Sequence, residues 1–559
     1  MTLCLKGACV VDPANGIDGV VRDLYVSDGR MVAAPGGGEQ ADETIDLAGK
    51  VVMAGAIDPH THIAGGKVTI ARLLLPELTR PRPRASCSSC GTDHGEKGLS
   101  APMPNCIETG VRYAEMGVTA CFEPAMLPMN ARHAHLEMAD VPIVDKGAYA
   151  LLGNDDLLLE MLANGAAAGT IADYVAWTLA ATQAIAIKVV NPGGISAFKF
   201  NQRAMDLDEP HPHYRITPRQ VLGAITRAVH TLGVPHPLHL HACNLGVPGN
   251  VETTLATIAA AEGLPIHLTH LQFHSYGTEG ARKFSSAAAR IAEAVNANPN
   301  VSIDVGQVIF GQTVTASGDS MLQYRGSRYA HPKKSVVMDI ECDAGCGVVP
   351  FRYRDTDFVN ALQWAIGLEL FLLVRDPWRV FLTTDHPNGG PFTSYPHLIK
   401  LLMDRSFRNS VLATIHPEAQ KATVLGSLER EYSRYEIAIM TRAAPAKSLG
   451  LADHGHLGEG ALADIVVYPE DPDPERRFAS PLYVFKRGDL VVRDGRCIAM
   501  PAGYVQTIAA EYDRGIEGPV AEHFERYRTV RVEHFAISKE ELASFSGGRG
   551  AEVRAARRR

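Results

Sequence analysis

Six histidines and one aspartate stand in short runs of a kind that suits a divalent metal. His60 and His62 close the apolar run AGAIDPHTHIAGG, two residues apart. On a strand that spacing turns both imidazoles to one face, within reach of a single ion. His239 and His241 follow in LHLHACN, and His267 and His270 in IHLTHLQFH; each pair falls where an apolar, strand-like run gives out. Asp385 ends another such run, VFLTTDHPNGG, ahead of a Pro/Gly loop. A lone H-x-H is equally at home on a surface or in an ordinary hydrogen bond. Imidazoles and a carboxylate converging from separate strand ends suit zinc or a similar ion, although some of them could simply be polar groups satisfied near a barrel mouth. Asn191, Asn244, Gln272 and His274 follow these residues closely, placed either to touch a substrate or to cap loops. CSSC at Cys87 to Cys90 and CDAGC at Cys342 to Cys346 have the spacing for a further zinc site. Cys243 reads as a packed side chain rather than a nucleophile.

For these residues to meet, their strand ends must be gathered at one face. Between about residues 56 and 440, strand-like and helix-like segments alternate. Thr217-Pro218 opens a helix with Val221, Leu222, Ile225, Ala228, Val229 and Leu232 on one face, and Gly233 stops it. PLHLHAC then reads as a strand, VETTLATIAAAEG as a helix and PIHLTHLQF as the next strand. Repeated βα units favour a parallel sheet, closed as a barrel or open. In a barrel, the C-terminal strand ends carry the active site. Short strands at the start of the chain, and again in HLGEGALADIVVYPED and LYVFKRGDLVVRDGRCI, could pair into one small β domain. The expected division is 1–55 and 441–505 for that composite domain, 56–440 for the barrel and 506–559 for a C-terminal extension, with a long insertion loop at 76–105.

Composition narrows the class. The 559 residues are 46% hydrophobic and 21% charged, a globular balance. A net charge of −8 argues against nucleic acid as a partner. Arg554 with Arg557, Arg558 and Arg559 reads as a frayed tail. Ten cysteines scattered over this length are no disulfide framework. The start MTLCLKGACVVDP lacks the basic and apolar regions of a signal peptide. The apolar window Ala361 to Val374 is broken by Glu369 and too short for a bilayer. The expectation is a cytoplasmic enzyme with no membrane partner.

The PHTH motif, the strand-end histidines, the late Asp385 and the returning GHLGEGALADIVVY strands resemble the amidohydrolase superfamily. More narrowly, VVMAGAIDPHTHIAGGKV, IKVVNPGG, HACNLGVPGNVETT, THLQFHSYG, IDVGQV, QWAIGLELFL and LTTDHPNGGPFTSYPH are similar to formylmethanofuran dehydrogenase A subunits and formyltransferase/hydrolase complex alpha subunits. The resemblance implies an α/β fold, a distorted (β/α)8 TIM-like barrel with a small β-sandwich domain built from both chain ends. It implies a dinuclear metal site, usually zinc, bridged by a carboxylated lysine. Carried over, His60 and His62 bind the first metal and His241 and His270 the second, while Asp385 touches the first and serves as base. Lys188, in AIAIKVVNPGG, is the favoured bridge because IKVVNPGG matches the narrower family; Lys199, in ISAFKF, is its rival. The implied reaction is hydrolysis of N-formylmethanofuran to formate and methanofuran in one-carbon metabolism, within a complex that includes a formyltransferase and other subunits. The same site run in reverse would condense formate with the carrier amine. The other readings are a cyclic-amide hydrolase of the dihydroorotase or hydantoinase type and a non-catalytic scaffold subunit.

Overall fold

The computed structural model describes residues 2–36, 40–75, 78, 106–198, 205–318, 338–340, 346–545 and 550–558. Lys199, the span 79–105, and Cys87, Cys90 and Cys342 lie outside the described residues, as does the side chain of Cys346. The rival bridge and the cysteine site therefore fall there too.

Eight short strands carry the centre of the molecule: β1 (Ala56–Asp58), β2 (Val118–Met126), β3 (Asp145–Leu152), β4 (Ala186–Val190), β5 (Leu238–His241), β6 (Ile266–Leu268), β7 (Val301–Asp304) and β8 (Val380–Phe381). They form one parallel sheet in which each strand lies beside its sequence neighbours. Beyond the ends of β1 and β8, Thr61 bridges to His386 and the His62 N–H donates to the His386 carbonyl at 2.8 Å, which brings the two edges together. The result is the expected (β/α)8 barrel. β3 is buried along its whole length, as a parallel strand between an outer helix and a filled interior must be.

The helix expected after Thr217 runs Pro218–Leu232. Thr217 caps it, Gln220 reaches back to complete a capping box, and Gly233 ends it at φ 67°. The long apolar window is the helix Phe358–Leu373, and it lies inside the protein. Its Glu369 accepts from the Ser286 and Thr423 hydroxyls and from the Val424 amide at 2.7 Å. Among the described residues, no helix is long and apolar enough to cross a membrane.

The chain ends share one nine-stranded mixed sheet. From one edge it runs Arg496–Cys497, Asp489–Arg493, Tyr483–Lys486, Ile465–Tyr468, Val51–Ala54, Thr2–Asp12, Ile17–Ser27 and Arg30–Val32, with Glu43–Asp46 also on Thr2–Asp12. The seam is antiparallel, Val51–Ala54 against Ile465–Tyr468. Leu5, Val10, Val52, Ile465, Val467 and Phe485 form its core.

The tail differs from the expectation. Glu552–Ala555 pairs in parallel with Gln506–Ala509, and Arg554 binds Asp453 at 2.9 Å and Gln506 Oε1 at 3.0 Å. Arg558 binds Asp173. Arg554 and Arg558 are held because acidic partners wait on other parts of the chain, which composition alone does not reveal. Beneath the barrel, Asp145 at the start of β3 accepts from Lys486 at 2.8 Å, His454 at 3.0 Å and the Tyr504 amide at 2.8 Å. With Glu552, Asp145 and His454 make a cluster that could hold a cation, but Lys486, Arg487 and Arg554 already supply the positive charge.

Candidate metal centre

At the C-terminal ends of the strands the chain repeatedly leaves ordinary backbone geometry. Asn191, Asn244, His270 and Asp385, just beyond β4, β5, β6 and β8, have φ of 43°, 61°, 37° and 51°. Left-handed non-glycine residues cost free energy and gather at functional sites.

His60, His62 and Asp385 converge there. Asp385 Oδ1 lies 2.9 Å from His60 Nε2 and 3.3 Å from His62 Nε2. Yet neither His60 Nε2 nor Asp385 Oδ1 has a partner in hydrogen-bonding geometry among the described residues. Two nitrogens and an oxygen crowded at one buried point, without aligned hydrogens, fit a shared cation. The electrostatics agree. Burial opposes a charge on His60, but the Asp304 and Asp385 carboxylates lift its pKa to about 9 against the opposition of Lys188. Burial also opposes the Asp385 charge, yet His60, His62 and His270 hold its carboxyl well below the usual range.

The far nitrogens are tied down. His62 Nδ1 meets Glu123 Oε1 at 3.0 Å, and Glu123 also accepts from the amides of Ile63 at 2.7 Å, Ala64 at 3.1 Å and Ala125 at 3.0 Å. His60 Nδ1 meets Asp304 Oδ2 at 3.0 Å. Such a carboxylate fixes the tautomer and frees Nε2 for a metal.

Across from this group stand His241, His270 and His274, whose ring nitrogens lie within 4.8 Å of one another. Burial and the neighbouring imidazoles lower all three pKa values, that of His270 to about 3. Lys188 is close enough to both groups for its charge to bear on His60, His241 and His270. It sits on β4 beside Leu151 and His239, is 2% exposed, and finds no hydrogen-bond partner among the described residues. Burial lowers its pKa, the nearby carboxylates notwithstanding.

His239 and His267 belong to a lower layer. They share one row of the sheet with Lys188, two residues deeper than His241. His239 Nε2 reaches His60 Nδ1 at 2.9 Å, and His267 Nε2 reaches Asp304 at 3.1 Å. They contact His60 and its carboxylate partner from below, and His239 with His60 and Asp304 forms a further group that could hold a cation. Asp304 and Glu123 went unmarked in the sequence; the one signal is that each is a carboxylate in an otherwise apolar run. Asn191 Oδ1 and Gln272 Nε2 are buried without partners among the described residues. The Asn244 amide is engaged by Asp206 and Thr253, as a loop cap would be. Burial pushes the Cys243 thiol up to about 12, which suits a packed side chain.

The model of the amidohydrolase family matches residues 43–499. The chain is 44% identical over 539 residues to the FhcA component of the formyltransferase/hydrolase complex of Methylorubrum extorquens, spanning 95% of this chain and 96% of that protein. It is 40% identical over 568 aligned positions to protein FwdA of Methanocaldococcus jannaschii, spanning 97% of each. Among solved structures, it matches the crystal structure of the formyltransferase/hydrolase complex FhcABCD of Methylorubrum extorquens in complex with methylofuran at a TM-score of 0.90 and 42% identity, over the full length of both chains.

Proposed function

The chain belongs to the amidohydrolase family, and from that premise we propose that it hydrolyses a linear N-formyl amide, the formylated amine of a methanofuran-type one-carbon carrier, to formate and the free amine. The observation that carries this reading is the pair of groups gathered at the strand ends, His60 with His62 and Asp385, and His241 with His270 and His274, with Lys188 buried on β4. His60, His62 and Asp385 would hold one divalent ion and His241 and His270 the other, with zinc suited to this nitrogen-rich set. When bound, the ions would polarise the formyl oxygen and acidify the attacking water.

The residues supply the rest. Lys188, whose pKa burial lowers, would add to CO2 through its unprotonated amine and release a proton to solvent, and the resulting carbamate would offer oxygen ligands there. Asp385, held ionised, accepts the proton of the attacking water and returns it to the amine nitrogen as the C–N bond breaks. Glu123 and Asp304 hold His62 and His60 in the tautomer that presents Nε2. Asn191 and Gln272, with amide atoms still unpartnered among the described residues, are the candidate substrate contacts, and Asn244 shapes the loop beside them. The Methylorubrum complex, with its methylofuran, supports a carrier of this kind. It equally supports a setting in which a formyltransferase partner passes the formylated carrier across at high effective concentration.

The test compares formate release from the formylated carrier with turnover of dihydroorotate and hydantoin, metal content being measured on the same samples. Release from the formyl amide alone, with bound metal, supports the reading. Turnover of the cyclic amides overturns it, and a metal-free, inactive chain leaves a scaffold. Lys188→Ala should lose both metals while Lys199→Ala keeps them; full metal in Lys188→Ala would promote Lys199.

A further inference from the structure

Beneath and beside the centre, two sets of buried histidines are treated in opposite ways. In the lower layer every ring nitrogen has a partner. His236 Nδ1 meets Ser448 at 3.0 Å and its Nε2 meets His239 Nδ1 at 2.9 Å. His239 Nε2 meets His60 at 2.9 Å, while His267 meets Ser302 at 2.9 Å and Asp304 at 3.1 Å. In the upper group that provision is missing. His274 is 1% exposed, and among the described residues neither of its ring nitrogens has a hydrogen-bond partner; His270 Nδ1 has none either. An orphaned buried polar atom costs on the order of 1–3 kcal/mol, and native proteins rarely leave one without a reason.

The placement of His274 is fixed from its backbone. His270 turns the chain left-handed, and the 3-10 turn Leu271–His274 brings His274 back over it. The His274 carbonyl accepts from Thr254 Oγ1 at 2.8 Å, and Asn250 Nδ2 holds the carbonyl of Phe273 at 2.8 Å. The His270 and His274 rings stand 5.4 Å apart and 22° from parallel, with the His241 ring edge-on to both at 4.5 and 5.3 Å. One nitrogen from each ring lies within 4.8 Å of the other two, so the three imidazoles can be gathered around one ion.

We propose that His274 is a third imidazole ligand of the ion held by His241 and His270. This rests on the metal-dependent reading above and adds to it: one ion would have two imidazoles and a carboxylate, the other three imidazoles, with the Lys188 carbamate shared. The side chain thereby leaves the set of substrate contacts.

The test uses the full chain loaded with Co(II), with metal stoichiometry, affinity and visible spectrum as readouts. Wild type should bind two ions. His274→Ala should lose one of them or bind it at least ten- to a hundred-fold more weakly, as His241→Ala should, with an unchanged circular dichroism spectrum. His274→Cys should restore binding and add a sulfur-to-cobalt charge-transfer band, which arises only if position 274 touches the ion. Two ions at wild-type affinity in His274→Ala, and no such band in His274→Cys, would overturn the proposal while leaving the metal-dependent reading in place. A wild-type chain that binds no metal would overturn both.

Discussion

Asp385 is asked to do two things with one carboxylate, and they can be separated. Asparagine tolerates the left-handed backbone of this position and keeps one coordinating oxygen, but it cannot accept a proton from water. Asp385→Asn should retain much of its metal and lose hydrolysis by roughly 10²- to 10⁴-fold, or about 3 to 5 kcal/mol of barrier. His386 next to it accepts the Phe392 amide at 3.2 Å and packs on the Phe392 ring. His386→Asn should stay within about tenfold, below the range for an acid–base group. Formate release with metal content on the same samples decides between them; wild-type turnover by metal-loaded Asp385→Asn would place the base elsewhere. His60, His62 and Asp385 were legible in the sequence because close spacing and strand ends announce them. Glu123 and Asp304 were not: they stand 61 and 244 residues from the imidazoles they orient. For His239 and His267 the inward face was legible but not the depth, which depends on register between strands.

At the scale of elements, Gly306 shows how tightly neighbouring strand ends are packed. It follows β7 at φ 63°, and an added Cβ would lie 2.4 Å from His270 Cβ, 2.8 Å from His270 Cα and 3.4 Å from Asp385 Cβ. Gly306→Ala must therefore displace His270 as well as adopt a costly conformation of about 1–3 kcal/mol. Its expected signature is a lower Tm together with less than two metals per chain; normal stoichiometry would mean that the turn yields freely. A second element has a pH dependence. His135, in the helix Ala131–Ala139, is buried with Nε2 donating to the Thr182 carbonyl at 2.9 Å, and burial pushes its pKa down to about 4. The unfolded chain, with an ordinary imidazole near 6.5, takes up the proton first. Stability is thus full above about pH 6.5 and falls as the pH drops towards 4, by up to about 3 kcal/mol. Urea midpoints at pH 7 and pH 5 should converge in His135→Gln, and an unchanged gap would assign the acid sensitivity to other groups. The helix Pro218–Leu232 could be read with its cap and stop because those signals are local. The barrel's closure could not, since β8 spans only Val380–Phe381 and the edges meet through residues beyond the strands.

At the scale of the whole molecule, the tail is a clasp under the barrel, on the face away from the metal centre. Deleting residues 551–559 removes the strand Glu552–Ala555, the links of Arg554 and the Arg558–Asp173 pair. The expected result is a Tm lower by a few degrees, since about 1 kcal/mol moves Tm by roughly 2–4 °C in larger domains, with metal content unchanged. A deletion that strips the metal would mean that the floor and the site are coupled. The seam between Val51–Ala54 and Ile465–Tyr468 also sets an order in time. Synthesis proceeds at about 5–20 residues per second, so the first strands emerge roughly 20–80 s before their partner exists. During that interval Leu5, Val10 and Val52 lack Ile465, Val467 and Phe485 of their shared core, and the edge of Val51–Ala54 that Ile465–Tyr468 will cover is unpaired. A ribosome that stalls anywhere in the barrel therefore releases a chain already bearing an uncovered apolar sheet, marked as unfinished from its first fifty residues.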